Sequence, residues 1–563
     1  MYIRFERPET LQIHGGRMEC PFSLSRVCGL AGEGMRTSDD RKPWFLPFLI
    51  MLAAVMAFAG CGYTPGVTRL STIKTSATDV PQAQINKDFL SATQCAFCHP
   101  VEYQQWATSM HAYAQHSPFF LAFTKFVLKS SGGTVGVFCD RCHTPIGISS
   151  GESAIIPNDQ RHELALQSVT CMVCHGEHTR DGQASAVFRV PIPGQGMPTI
   201  YGPFYGYDEP GAPNDPALRL IKSPHESRHW WYITTGRFCG QCHDVFLNDG
   251  THIEEAYSEW KNSRYAREGI TCQDCHMSPV PGKPVPFDQG PIVDTDLFPD
   301  APTRRRSTHL FTGPDYSILP AFGQAALGLD NQQFKAHELL LEKQRIELIR
   351  NGGTMKVTNP AQVSAGGTLD VSVAVTNSGS GHNFPTGFAS ERELWVEITV
   401  FDQTGRELFV SGDLDKNGDV RDHEADLVKE GLEPVDQNLA NYEANFILQD
   451  FKGPQSVFVS TVNRLLSPTP FIIPAPTPVS LMGFGPAARV FKRGIPPFAT
   501  KTADYSIDVP RDTKGPLSLR VRLRYRNLPS HFVNAIGVGD DRPKIRTIDV
   551  YTYQAQIAVG GQS

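Results

Sequence analysis

Cys95-Ala96-Phe97-Cys98-His99, Cys139-Asp140-Arg141-Cys142-His143, Cys171-Met172-Val173-Cys174-His175, Cys239-Gly240-Gln241-Cys242-His243 and Cys272-Gln273-Asp274-Cys275-His276 are five copies of one pattern. Each has the spacing of a c-type haem attachment site. Two thiols three positions apart can each form a thioether to one vinyl group on the same edge of a haem. The histidine that follows is then placed under the ring, where its imidazole binds iron. One such pentapeptide arises by chance in roughly one sequence per hundred, so five in one region require a chemical cause. Structural zinc would use paired CxxC motifs without demanding His after every second Cys. Disulfides would not impose the spacing. The sequence therefore predicts five covalently attached haem c groups, with Cys95, Cys98, Cys139, Cys142, Cys171, Cys174, Cys239, Cys242, Cys272 and Cys275 as anchors. His99, His143, His175, His243 and His276 are the first iron ligands.

The chain has 563 residues and a formal charge of −6, so more than one domain is expected. No basic run points to nucleic acid. Haem propionates would add about ten negative charges and make the surface more acidic. Of thirteen cysteines, only Cys20, Cys28 and Cys61 lie outside the motifs, which leaves little for a disulfide framework. Residues 44–60 are apolar, follow Arg41-Lys42 and end in small residues, the shape of a secretory signal. At 17 residues the run is short for a spanning helix. Phe58-Ala59-Gly60-Cys61 resembles a bacterial lipoprotein box, with Phe58 where Leu is usual, making Cys61 the lipidated first residue of the mature chain. A plain cleaved signal and an uncleaved anchor are the alternatives. The expected location is outside the cytoplasm, in the periplasm or at the outer membrane or cell surface. Residues 1–34 precede an alternative start at Met35 and are left out of the fold argument.

Residues 61–88 read as a tether, 89–350 as a pentahaem domain of short helices and loops, and 351–563 as an all-β domain. In the first, Pro and Gly are frequent and continuous apolar runs few, because porphyrins would form the interior. Residues 332–350 read as a helix stopped by Asn351-Gly352-Gly353, with a first strand of the next domain as the alternative for the second half. Beyond Gly353, Leu369, Val371, Val373 and Val375 alternate with polar residues. So do Leu394 to Val400 and Leu517 to Tyr525, with Ile548 and Val550 continuing. Period-two alternation marks half-buried strands, and a β-sandwich of immunoglobulin-like general shape is expected. Residues 464–500, rich in Pro and Phe, read as a long loop. The fold class is multidomain: mainly α and irregular, then an all-β sandwich.

A haem iron with two histidines carries electrons, and one with an open position can catalyse. Nine histidines outside the motifs lie in the haem region. Cys95 to His99, then Glu102-Tyr103-Gln104-Gln105-Trp106 and Ser109-Met110-His111-Ala112, resembles the opening of the cytochrome c-554 family of multihaem cytochromes. Glu259-Trp260 leading into Cys272 to Met277, and Arg306-Ser307-Thr308-His309-Leu310-Phe311, are similar to later family elements. Gly381-His382-Asn383-Phe384-Pro385-Thr386-Gly387 resembles an element found where a β-domain packs on such haem domains. The resemblance covers about 90–400 in patches. It implies mostly bis-histidine haems, with His111 and His309 as second ligands. His382 could reach back to a haem from its loop. His229, with His225 as rival, is a further candidate. His252 and His178 rank below these, while His116, His162, His337, His423 and His531 read as solvent-facing or packing residues. Met110 and Met277 read as packing.

Asp413-Leu414-Asp415-Lys416-Asn417-Gly418-Asp419-Val420-Arg421-Asp422-His423-Glu424 fits the twelve-residue calcium loop. Asp413, Asp415, Asn417, Asp419 and Glu424 supply the oxygens and Gly418 the sharp turn. The alternative is an Asp/Asn-Gly hairpin turn.

These features predict an exported electron carrier, anchored to a membrane by lipid. Its partners would be redox proteins or an extracellular acceptor, with no role for nucleic acid. A multihaem reductase or oxidoreductase of nitrogen or sulfur compounds, with one open haem, is the alternative. Pentahaem nitrite reductases resemble the chain in haem count but carry CxxCK at the active haem, which is missing from this sequence. A surface protein that self-assembles through its β-domain is the third reading.

Overall fold

The computed structural model describes residues 89–560 apart from 131–132, 134, 154–155, 177–183, 187–189, 191–196, 248–251, 450–456, 459–487 and 492. The leader, the apolar run, Cys61 and the tether lie outside the described residues, as do His178 and most of 464–500. The described residues belong to a unit that begins at Ser76. None of their helices is long and apolar enough to cross a membrane.

Each CxxCH pentapeptide sits on or beside a single helical turn. These turns are Ala92–Ala96, Asp140–His143, Cys171–His175, Gly236–Cys239 and Cys272–His276. A helical turn brings positions i, i+3 and i+4 to one face, so both thiols and the imidazole point the same way. Turns this short need caps, since isolated nucleation is unfavourable. Ser91 forms a capping box with Gln94, and Thr271 forms one with Asp274. Apolar packing around them is local. Phe89, Ile146, Leu164, Met172, Val173 and Val190 form one small cluster, and Trp106 with three alanines forms another.

Asn331–Gly352 is one uninterrupted helix, capped by Asp330 and its box partner Gln333. Its second half is not a strand; the chain turns to strand at Thr354–Thr358. Leucine and glutamate in this stretch favour helix, and Gly353 ends it.

The β-rich part has two main sheets. The larger runs, in spatial order, Glu407–Ser411, Glu393–Phe401, Leu517–Arg526, Ile548–Gly560 and Gln362–Ser364, with Ala440–Asn441 added on Glu393–Phe401. The smaller runs Thr500–Asp508, Thr368–Thr376 and Thr354–Thr358. Leu369, Val371, Val373 and Val375 from the smaller sheet share one buried core with Leu394 to Val400 and Leu517 to Tyr525 from the larger. The two sheets thus close on each other, each contributing the alternate residues that the period of two assigned inward.

The strand Glu393–Phe401 is buried on both faces, which alternation alone did not predict. Its other face carries Glu393, Trp395 and Glu397. Glu397 lies opposite Arg522 and Glu393 opposite Arg526 in register, and each pair is ion-paired. Arg524 and Arg526 lie over the Trp395 ring. Buried carboxylates stay because cross-strand guanidiniums satisfy them. Replacing fully buried Leu519 with alanine should cost about 2–5 kcal/mol in denaturant unfolding. An effect below about 0.5 kcal/mol would show that the two sheets do not share this core.

Candidate functional site

The motif helices surround a cavity of ≈ 1800 Å³, well above the roughly 300–1,000 Å³ of a small-molecule pocket. All ten motif cysteines line it, together with the five motif histidines and His111, His225, His229, His309 and His382.

The thiols show how the motifs are arranged. Cys95 lies in hydrogen-bond contact with Cys171, Cys142 with Cys242 and Cys239 with Cys272. Cys174 is close enough to act on both Cys239 and Cys242. The first motif therefore adjoins the third and the third the fourth, while the second and fifth both adjoin the fourth. Groups attached here would be near neighbours along a branched path.

The motif imidazoles are oriented from behind. Nδ1–H of His99 donates to the Ile292 carbonyl at 2.6 Å, and that of His143 to Ala114 at 2.8 Å. His175 donates to Tyr201 at 2.7 Å and His276 to Thr312 at 2.8 Å. A carbonyl only accepts, so these contacts place the proton on Nδ1 and leave Nε2 for a metal. Nδ1 of His243 instead lies 3.9 Å from the buried Glu254 carboxylate. Burial lowers the pKa of His143 to about 4, with Ala114 opposing and His243 adding to the fall. Burial, then His276, lowers His243 to about 4. Both are neutral at pH 7, as a ligand must be.

Three further histidines face three of these rings. His111 and His243 have ring centres 6.4 Å apart, His309 and His175 6.4 Å, and His382 and His276 6.2 Å. An imidazole nitrogen binds a metal at about 2.0–2.1 Å and its ring centre lies roughly 1.1 Å behind. Two rings on one iron are therefore about 6.3 Å apart. The spacing fits a haem iron. Burial lowers His111 to about 3, and His309 and His382 to about 4, with neighbouring histidines adding to each.

Local structure explains the placements. Ser109 caps the turn Met110–Tyr113 that presents His111. The His309 backbone N–H donates to Gln105 at 2.8 Å, tying it to the helix Pro100–Ala107 that follows the first motif. Phe311, at φ 47, packs against both His111 and His309; such a left-handed conformation is uncommon for a bulky residue. His382 comes from the β-rich part.

His229 lines the cavity but stacks on Tyr205 at 4.2 Å. His225 lines it too; burial lowers its pKa, with the Glu226 carbonyl opposing and His99, the first motif's histidine, adding to the fall. His143 stacks on Phe120 at 3.5 Å. Elsewhere, His252 pairs with Asp244 at 2.7 Å, His116 with the Leu166 carbonyl at 2.7 Å, and buried His531 with Asp419. Phe120 and Glu254 carried no signal in the sequence.

The loop Asp413 to Glu424 forms a tight turn, with Gly418 at φ 82 and a bridge between Leu414 and Val420. Some of its oxygens are already engaged, while Asp415 Oδ2, Asp419 Oδ2 and Glu424 Oε1 are buried without a hydrogen-bond partner. Arg421 holds Asp413 at 2.5 Å, and Asp415 accepts the N–H groups of Asn417 and Asp419. Asp419 accepts from His531 N–H at 2.6 Å, and Lys429 pairs with Glu424 at 3.3 Å. Among the described residues, no group of three or more His, Cys, Asp or Glu converges as a metal site.

No protein-family model and no curated protein matches the chain. Among solved structures, the fold is similar to that of a penta-heme cytochrome c552 from Thermochromatium tepidum. The TM-score is 0.50 at 18% identity, over 84% of this chain and 100% of that one. At that identity the likeness is one of fold.

Calcium at the 413–424 loop would have to displace Arg421 from Asp413. Arg421→Ala should therefore tighten calcium binding by roughly fivefold, the equivalent of one partly exposed ion pair, in a calorimetric titration of the intact protein. Equal affinities would show that Asp413 is not a ligand.

Proposed function

We propose that the chain is an exported multihaem c-type cytochrome, related to the cytochrome c-554 family. It carries electrons along five covalent haems between membrane redox partners and a periplasmic or extracellular acceptor. The observation that carries this reading is the set of facing imidazole pairs at 6.2–6.4 Å within one cysteine-lined cavity. Bound haem supplies the one-electron iron couple. The motif cysteines tether it, and the Nδ1–carbonyl bonds hold the imidazoles in place. His111, His309 and His382 close the second axial positions of the fourth, third and fifth motifs. His225 is proposed for the first motif, with His229 as the remaining cavity histidine. Closed positions favour electron transfer over substrate binding.

Contacts among the motif thiols support a branched order, with the fourth motif as junction and the first, second and fifth as ends. The division into a haem domain, 89–350, and a β-domain, 351–563, is part of the proposal. So are the signal and the lipid anchor at Cys61, which would hold the protein at a membrane by more than one acyl chain.

The second reading is a reductase with one open iron. Its support is His143, which stacks on Phe120 at 3.5 Å and, like His99, has no second imidazole in ring contact among the described residues.

A spin-state count of the purified protein tests the choice. The electron-carrier reading expects every haem six-coordinate and low-spin, with little carbon monoxide binding on reduction. A high-spin share near one fifth would favour the reductase. His111→Ala and His309→Ala should each open one haem to carbon monoxide. Unchanged coordination in both would overturn the assigned pairs.

A further inference from the structure

The loop bearing His382 is held by a side chain from the haem region. Glu259 lies on the helix Ala256–Lys261, between the fourth and fifth motifs. Its Oε2 accepts from the Asn383 backbone N–H at 3.0 Å and the Thr386 hydroxyl at 2.5 Å, and its Oε1 accepts from Asn383 Nδ2 at 2.6 Å. One carboxylate thus takes three hydrogen bonds from a four-residue stretch some 125 positions away in sequence. Close approach also constrains the loop. A Cβ on Gly381 would sit 2.9 Å from Tyr265 and 3.3 Å from Trp260, so only glycine lets the loop seat against these rings.

The clamp acts on His382 through its neighbours. Nδ1 of His382 lies 2.8 Å from the Ser380 hydroxyl and 2.9 Å from the Asn383 carbonyl. Asn377 Nδ2 holds the His382 carbonyl at 2.8 Å. Asn383 is therefore fixed by Glu259 on one side and helps fix the imidazole on the other. The ring then faces His276 with 19° between the planes.

We infer that Glu259 is the positioning residue for the second axial ligand of the fifth motif, and that this coordination depends on docking between the haem region and the β-rich part. The His111 and His309 pairs draw both members from the haem region. The fifth motif borrows its second histidine across the interface, so loosening the clamp opens this iron, and only this iron, to small neutral ligands such as carbon monoxide. The inference rests on the proposed role of His382, and its test separates the two.

The experiment uses the full-length, haem-loaded protein and its Glu259→Ala, Glu259→Gln, Thr386→Val and His382→Ala variants. It measures ferric spin state and carbon monoxide bound per chain after reduction. His382→Ala should convert one haem in five to high spin and bind one carbon monoxide. Glu259→Ala should give the same signature. Glu259→Gln should stay near wild type, because its amide oxygen still accepts from the loop. Thr386→Val removes one bond and should raise the carbon monoxide association rate severalfold, which provides a readout if Glu259→Ala fails to mature. If His382→Ala changes nothing, the ligand assignment is wrong. If His382→Ala opens one haem while Glu259→Ala and Thr386→Val both match wild type, the clamp is wrong.

Discussion

Imidazole rings held across a gap one iron wide are the constraint on which the rest of this structure depends. A neutral ring in a buried cavity is stable only if its second nitrogen is satisfied. Four motif histidines solve this by donating to carbonyls of Ile292, Ala114, Tyr201 and Thr312. Those carbonyls come from separate pieces of chain: Ala114 caps the helical turn Met110–Tyr113 and Tyr201 lies on the short strand Ile200–Gly202. These backbone groups are thus the back wall that orients the imidazoles. The apolar clusters nearby, around Phe89 and Trp106, are small.

The β-rich part is built on a different economy. Its two sheets close on a continuous aliphatic core, and its outer face is pinned by cross-strand pairs such as Glu397 with Arg522. Two sheets that share one core can present a loop accurately. The Gly381 to Gly387 loop leaves it, meets Glu259, and delivers His382 to the cavity. The motif-bearing region and the β-rich part therefore meet at the His276–His382 pair as well as along a packing surface.

How much of this could be read beforehand follows from how local each constraint is. The five CxxCH motifs were legible because the thioether chemistry they match fixes Cys, Cys and His within five residues. The inner strand residues were legible because pleating has a period of two. Second histidines are set by tertiary approach: His111 and His309 carried recognisable flanks, whereas His225 and His229, four positions apart, could not be ranked from the sequence. The double burial of Glu393–Phe401 was invisible because its outward carboxylates are matched by arginines on another strand. In the calcium-like loop the oxygen spacing was correct, but the pattern takes no account of a cation at the ninth position. Arg421 occupies that place and pairs with the first aspartate.

The central claim is that this cavity is an interior made of covalently tethered porphyrin. Intact-mass analysis of the mature, secreted protein under denaturing conditions tests it most directly, because only thioether-linked haem survives unfolding. The account predicts a single species heavier than the processed polypeptide by five haem increments, each localised to one CxxCH peptide. A mass equal to the bare polypeptide, or haem that dissociates on denaturation, would contradict it.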